Sequence, residues 1–205
     1  MEQKIEKEDK KKKIFIIIPI LIVISAIIII LVMYIINSPQ IAISNFFKGL
    51  KESDKNIVNK YIDYNQIANY IITDDVSTDV EAKIEANCFK DIKYKINAIN
   101  INNDEATVTI ETTNKNFRNV LTLWTQDIYQ KLISGNTMSN QEQKELLNTY
   151  LEKDDIGTIT VTKDITLYKD NKAWKIKNNQ NLEDSLFPGL SEVVNTVNSL
   201  VKDEE

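Results

Sequence analysis

The spacing of apolar positions changes repeatedly along this chain, and each change marks an element. It opens with a run from Ile14 to Ile36 that holds no charged residue. At about 1.5 Å rise per residue, a helix over that run is roughly 34 Å long, against a hydrocarbon core of roughly 30 Å. The pattern therefore predicts a transmembrane helix over 14–36. Pro19 falls in its first turns, where proline is tolerated. Next comes an amphipathic stripe: Ile43, Phe46, Phe47 and Leu50 follow at helical spacing behind Ser38-Pro39, an N-cap with proline at the first helical position. Asp54 is placed to cap a second helix carrying Ile57, Val58, Tyr61 and Ile62. A softer stretch from Asn65 to Val76 follows, and a short helix is expected over Thr78 to Phe89.

The period then drops to two. Ile92, Tyr94 and Ile96 alternate with lysines, and Ala106, Val108 and Ile110 alternate with polar residues. Asn102-Asn103-Asp104 stands between the two runs as a turn, so the pair reads as a β-hairpin. Helical spacing returns with Phe117, Val120, Leu121, Trp124, Ile128 and Leu132, up to a stop at Gly135. Ser139 to Glu142 is a capping-box pattern that opens a helix bearing Leu146, Leu147, Tyr150 and Leu151. A second hairpin follows. Its long strand carries Ile159, Val161, Ile165 and Leu167, with a bulge expected at Lys163-Asp164. Asp170-Asn171 turns the chain into Ala173-Trp174-Lys175-Ile176. A closing helix carries Leu190, Val193, Val194, Val197 and Val201 behind Pro188-Gly189.

Four strands in two hairpins, preceded and interrupted by helices, predict an α+β fold with helices packed on one face of an antiparallel sheet. The expected organisation is a basic tail at 1–13, a transmembrane helix at 14–36, and an extracytoplasmic domain at 37–205 with a helical insertion at about 115–153.

Charge decides the expected orientation. Lys10 to Lys13 abut the apolar run, whereas Asn37-Ser38-Pro39-Gln40 beyond it carries none. Lysines beside a span stay on the cytoplasmic side, so the N-terminus is expected inside and the domain outside. A cleaved export signal normally has an apolar region of only about 7–15 residues, and a lipoprotein anchor needs a cysteine at the end of that region, where none stands. The tail holds six of the 25 basic and four of the 30 acidic residues, leaving 19 and 26 outside it, a net charge of −7. An acidic domain repels nucleic acid, which is excluded as a partner.

Composition narrows the chemistry. The chain has no histidine, which removes Ser-His-Asp and Cys-His catalysis and the common zinc sites. Cys88 is the only cysteine, so no internal disulfide forms. The acidic groups Asp74, Asp75, Asp79 and Glu152, Asp154, Asp155 lack the spacing and glycine of a calcium loop and read as solvated surface. No cofactor is expected.

Several stretches together carry a resemblance. These are "AISNFFKGLKESDKNIVNKYI", "IKYKINAININNDEATVTIETTN" and "ITLYKDNKAWKIKNN", with a helical insert before the last and "NLEDSLFPGL" as entry to the closing helix. Their order over roughly 39–200 resembles the nuclear-transport-factor-2-like (cystatin-like cone) superfamily. More narrowly, it resembles membrane-bound or secreted Gram-positive domains of unknown function. Phe46, Phe47, Lys51 and Asp54 match the aromatic pair and K-x-x-D stretch of the first helix. Asp170 to Ile176 matches the strand ending in W-K-I, with Asn171 where the family often has glycine. The resemblance implies helices closed on a curved, cone-like sheet. It carries over no catalytic residue, because the pocket Asp, His or Tyr of the family's enzymes has no match here.

Cones of this kind often leave an apolar pocket. The candidates to line it are Phe47, Tyr94, Trp124, Tyr168 and Trp174; the competing expectation is that these aromatics fill the core. The function expected is a membrane-anchored, extracytoplasmic binding or interaction module without catalytic activity. Its expected partners are membrane lipid through 14–36, and envelope proteins or a small apolar ligand. The alternatives are a scaffold subunit of an envelope secretion or conjugation machine and, behind it, an enzyme acting on wall or sugar substrates.

Overall fold

A computed structural model describes residues 20–29, 37–68 and 78–195. The domain begins with α1 (Pro39–Lys51). Ser38 caps it, its hydroxyl accepting from the Ile41 amide, and Pro39 occupies the first turn. Short helices α2 (Lys55–Val58) and α3 (Tyr64–Ala68) follow, then α4 (Thr78–Phe89). A four-stranded antiparallel sheet is built from β1 (Lys93–Asn102), β2 (Glu105–Lys115), β3 (Thr158–Asp170) and β4 (Ala173–Ile176), in that spatial order. Helices α5 (Phe117–Ile133) and α6 (Asn140–Glu152) lie between β2 and β3, and α7 (Gln180–Leu186) follows β4.

The α+β class holds, but the predicted fold class is corrected on its transmembrane helix. Among the described residues, no helix is long and apolar enough to cross a membrane. The described helical residues in that region, 20–29, are fewer than the roughly 20 that a spanning helix needs. The uncharged run states a preference for an apolar medium, and preference alone does not establish a spanning element. The rest of 14–36, the tail at 1–13, most of the soft stretch at 69–76 and positions 197 and 201 of the closing helix lie outside the described residues.

The apolar stripe of α1 is the centre of the core. Ile43, Phe46 and Phe47 are fully buried and Leu50 nearly so, and burial of each such side chain contributes about 1.5–3 kcal/mol. Asp54 caps α2 as expected, its Oδ1 accepting from the amides of Asn56 and Ile57. Gly49 is required here, because a Cβ would sit 2.9 Å from Val58 Cγ2 where α2 folds back on α1. On the sheet, the inward positions of β2 run Ala106, Val108, Ile110, then Thr112 and Asn114, all buried. Opposite them stand Leu167, Ile165, Lys163, Val161 and Ile159 of β3 in unbroken register.

That unbroken register corrects a second expectation. No bulge interrupts β3 at Lys163-Asp164. Ile159, Val161, Lys163, Ile165 and Leu167 share one phase, and Lys163 is a charged residue on the inward face. The register shift lies in β1 instead, between Ile96 and Ala98. The β3–β4 turn uses Asn171 and Lys172, both at positive φ (49° and 67°), the conformation of a two-residue hairpin turn whose twist matches its strands.

The helical insertion is present between β2 and β3, but only its base joins the core. Phe117, Val120, Leu147, Tyr150 and Leu151 are buried. The outer half of the α5 stripe is not: Leu132 is 59% and Ile133 67% exposed. Gly135 ends α5 at φ 78°, where the amides of Gly135 and Asn136 return to the carbonyls of Leu132 and Lys131. The capping box at Ser139 and Glu142 forms as predicted.

Asn114 links the layers. From β2 its Nδ2 donates to the carbonyls of Cys88, near the end of α4, and Leu186, at the end of α7, at 3.0 and 2.8 Å. Late helical carbonyls have no partner within their own helix. Asn114→Leu should therefore strand two buried acceptors. The expected loss is roughly 2–4 kcal/mol, measured as a lower urea midpoint with an unchanged slope.

Candidate functional site

Convergent polar side chains gather where α7 crosses the inward face of β3. Asn179 caps α7, its Oδ1 accepting from the Leu182 amide at 3.1 Å. Leu182, Ser185 and Leu186 face the core. Thr112 donates to the Ser185 carbonyl at 2.9 Å, and Asn181 donates to the Asp164 carbonyl at 2.9 Å, so the helix is fixed across β2 and β3. This docking turns Asp184 toward Lys163.

Lys163 Nζ lies 2.6 Å from Asp184 Oδ2. Asp184 Oδ1 accepts from Gln180 Nε2 at 2.9 Å and from the Ser191 hydroxyl. The group lines a cleft of about 510 Å³ together with Val161 and Glu183. Partial burial pushes the Asp184 carboxyl up, but the hydrogen bonds from Lys163, Ser191 and Gln180 outweigh it and hold the group below its ordinary value. Glu183 moves the other way, raised by burial and by the neighbouring Asp184 charge. Both oxygens of Asp184 are thus engaged, and a carboxylate with a lowered pKa is a weak proton acceptor at neutral pH. Ser191 has no other base against it within this network. The cleft is equipped to hold a polar group rather than to activate one.

A second cleft, of about 700 Å³, lies between α5 and α6 and includes Asp127, Lys131, Glu142 and Leu146. Tyr150 donates to Asp127 at its edge (2.5 Å), and that bond pushes the phenol up to about 12.

The five aromatic candidates do not converge. Phe47 is buried and stacks on half-buried Tyr94, ring centroids 4.5 Å apart, so these two are brought together. Trp124 stands apart in the insertion, its indole N–H donating to the Gln143 carbonyl at 2.8 Å. Trp174 is buried under the Lys169 ammonium. Tyr168 is 44% exposed on the other face of β3. None of the five lines either cleft. Glu152 is engaged by Asn87 and Asn148, and among the described residues no group of three or more acidic or cysteine side chains is placed to hold a metal ion.

The residues missed in the sequence are Lys163, Asp184 and Ser191. One signal was available: a lysine in the inward phase of a strand demands a buried counter-charge.

No family model matches the chain, and no curated protein matches it. Among solved structures, it is similar to a protein of Bacillus subtilis subsp. subtilis str. 168 (ycdA), described as a candidate lipoprotein. The identity is 14% and the TM-score 0.36, over 54% of this chain and 37% of that one. The chain thus spans little more than a third of that protein's length, and neither fold nor function is carried over from it. The cone superfamily read from the sequence is not among the matches.

Lys163→Met should raise the Asp184 pKa, as followed by carboxyl NMR titration. The sign for stability follows. The contribution of Asp184 is fully present above its unfolded value of about 3.9 and is lost as pH falls through its lower folded value. The variant should therefore lose less stability than wild type between pH 6 and pH 3. An equal loss in both would remove the ion pair from this role. Cys88 is fully buried, and burial pushes its thiol well up; it should resist a thiol reagent at pH 8 and react only on unfolding.

Proposed function

We propose that this chain is a non-catalytic interaction module of the cell envelope. Its apolar segment 14–36 associates with membrane lipid, and its α+β domain works on the outer side of that membrane. The eight Ile, Leu and Val side chains in the described part of the segment, 20–29, are 47–62% exposed, which supports affinity for lipid. The lysines at 10–13 support an inside N-terminus.

The observation that carries the reading is the tip of the α5–α6 hairpin. Tyr129, Leu132 and Ile133 recur at helical spacing and are 59–67% exposed. No residue from 127 to 140 is buried. A stripe of this spacing normally closes on a core; here it continues beyond the core on an arm. An apolar tip beside charged Asp127 and Lys131 suits a protein partner with a matching apolar socket. The saturated Asp184 network supports binding over turnover. The scattered aromatics give the small apolar ligand no support, which leaves envelope proteins as the proposed partners. A scaffold subunit of an envelope machine is one form this role could take. The cone-superfamily kinship belongs to the same reading and is supported by the order of helices and hairpins.

The test uses the full chain in its own membrane. A photo-crosslinking residue at Leu132 or Ile133 should give discrete adducts with an envelope protein, and one at exposed Thr162 should give none. Ile133→Glu should erase adducts from position 132 while shifting stability by less than about 0.5 kcal/mol. A tip that crosslinks to nothing, or no better than position 162, would overturn the proposal.

A further inference from the structure

The two edges of the sheet are treated differently. On the β4 side the edge is closed: the Ile176 amide donates to the Tyr61 carbonyl at 2.8 Å, and Lys175 Nζ donates to the Lys60 carbonyl at 2.7 Å. On the other side β1 pairs only with β2. Among the described residues, no backbone hydrogen bond reaches its outer edge. From position 97 to 102 every residue of β1 is exposed, including Ile99 at 37% and Ile101 at 49%.

Exposed edges are normally blunted by charge, proline, shortness or a cover. Lys93 and Lys95 blunt the first half of β1, and the register shift between Ile96 and Ala98 separates it from the second. Beyond that shift the strand is regular, with Ala98 to Asn102 in continuous register against Thr109 to Glu105. This stretch contains no charge, no proline and no glycine. It is a template for another strand.

The charges around it select the occupant. The strand begins basic, at Lys93 and Lys95, and its hairpin ends acidic, at Asp104 and Glu105. Asp104 is exposed, its side chain 79% accessible, but it pairs with Lys169 Nζ at 3.2 Å within its own chain, so exposed Glu105 is the main acidic group presented to a second copy. A second β1 laid antiparallel sets the basic start of each copy beside the acidic end of the other, and two-fold symmetry repeats the match. Parallel pairing would set lysines against lysines. We propose that β1 is a homodimer edge: two copies of this chain join their sheets through antiparallel β1 strands centred near Ile99, giving one continuous eight-stranded sheet. Across the axis Ile99 meets its own copy, and Asn97 meets Ile101. This surface is separate from the hairpin tip and stands without it.

The full chain in mild detergent tests the proposal. In a Cys88→Ser background, Ile99→Cys should form an intermolecular disulfide under gentle oxidation, since opposed Cα atoms lie about 4.5–5.5 Å apart across such a pair, within the roughly 4.4–6.8 Å that a disulfide spans. Tyr168→Cys on the sheet face should not. Lys93→Glu should weaken the dimer by at least about tenfold in Kd, and adding Glu105→Lys should restore it. Ile99→Lys with Ile101→Lys should sediment as a monomer with an unchanged circular dichroism spectrum. A monomeric wild type, a dimer indifferent to the lysine pair, or equal crosslinking at 99 and 168 would overturn the proposal. If the paired lysines unfold the chain, the charge swap still decides.

Discussion

One buried amide holds the layers of this domain together. Asn114 sits within β2 with 1% of its surface exposed and reaches the carbonyl ends of two helices that approach from different directions. Those carbonyls would otherwise be desolvated without partners, at about 1–3 kcal/mol each. The arrangement has its own cost: Asn114 Oδ1 is buried and has no hydrogen-bond partner among the described residues. Two satisfied helix ends outweigh one unsatisfied oxygen. Thr112, one rung away on the same face, makes the same kind of contact to Ser185. The sheet is thus apolar where it meets α1 and polar where it meets α7. That change of character is what sets Lys163 and Asp184 face to face.

The local grammar of the chain was readable because it rests on short-range physics. Ser38-Pro39, Asp54, the Ser139–Glu142 box and Gly135 each act on backbone groups within a few residues, and each forms as expected. The strands were legible because period two survives in β2 and β3. The spanning helix was not, because a run of twenty-three uncharged residues states a preference for a medium without establishing a spanning element. Trp124 and Leu132 share an apolar spacing with Phe117, yet Phe117 packs on Phe187 and Trp124 against the edge of the core, while Leu132 lies beyond it. No periodicity announces where a core ends.

The candidate site was the least legible part. Its other members stand 21 and 28 positions beyond Lys163: Asp184 on a helix too short to show an apolar period of its own, and Ser191 past the Pro188-Gly189 turn. The aromatics drew attention as large, rare side chains, and the fold spends Phe47 and Trp174 on packing. A charged residue holding the inward phase of a strand was the better clue. It identifies a partner by necessity, whereas a large ring identifies only bulk.

Lys115 and Thr158 face each other across the β2–β3 ladder at the point where the insertion leaves and returns. Chain ends already held in register make any excursion between them cheap, because closing a longer loop adds only about 0.6 kcal/mol per doubling of its length. The outer turns of α5 and α6 are therefore free to lengthen, shorten or change sequence while the ladder beneath stays fixed. In evolutionary terms the arm is an exchangeable fitting on a fixed chassis, and related chains would be expected to differ there first.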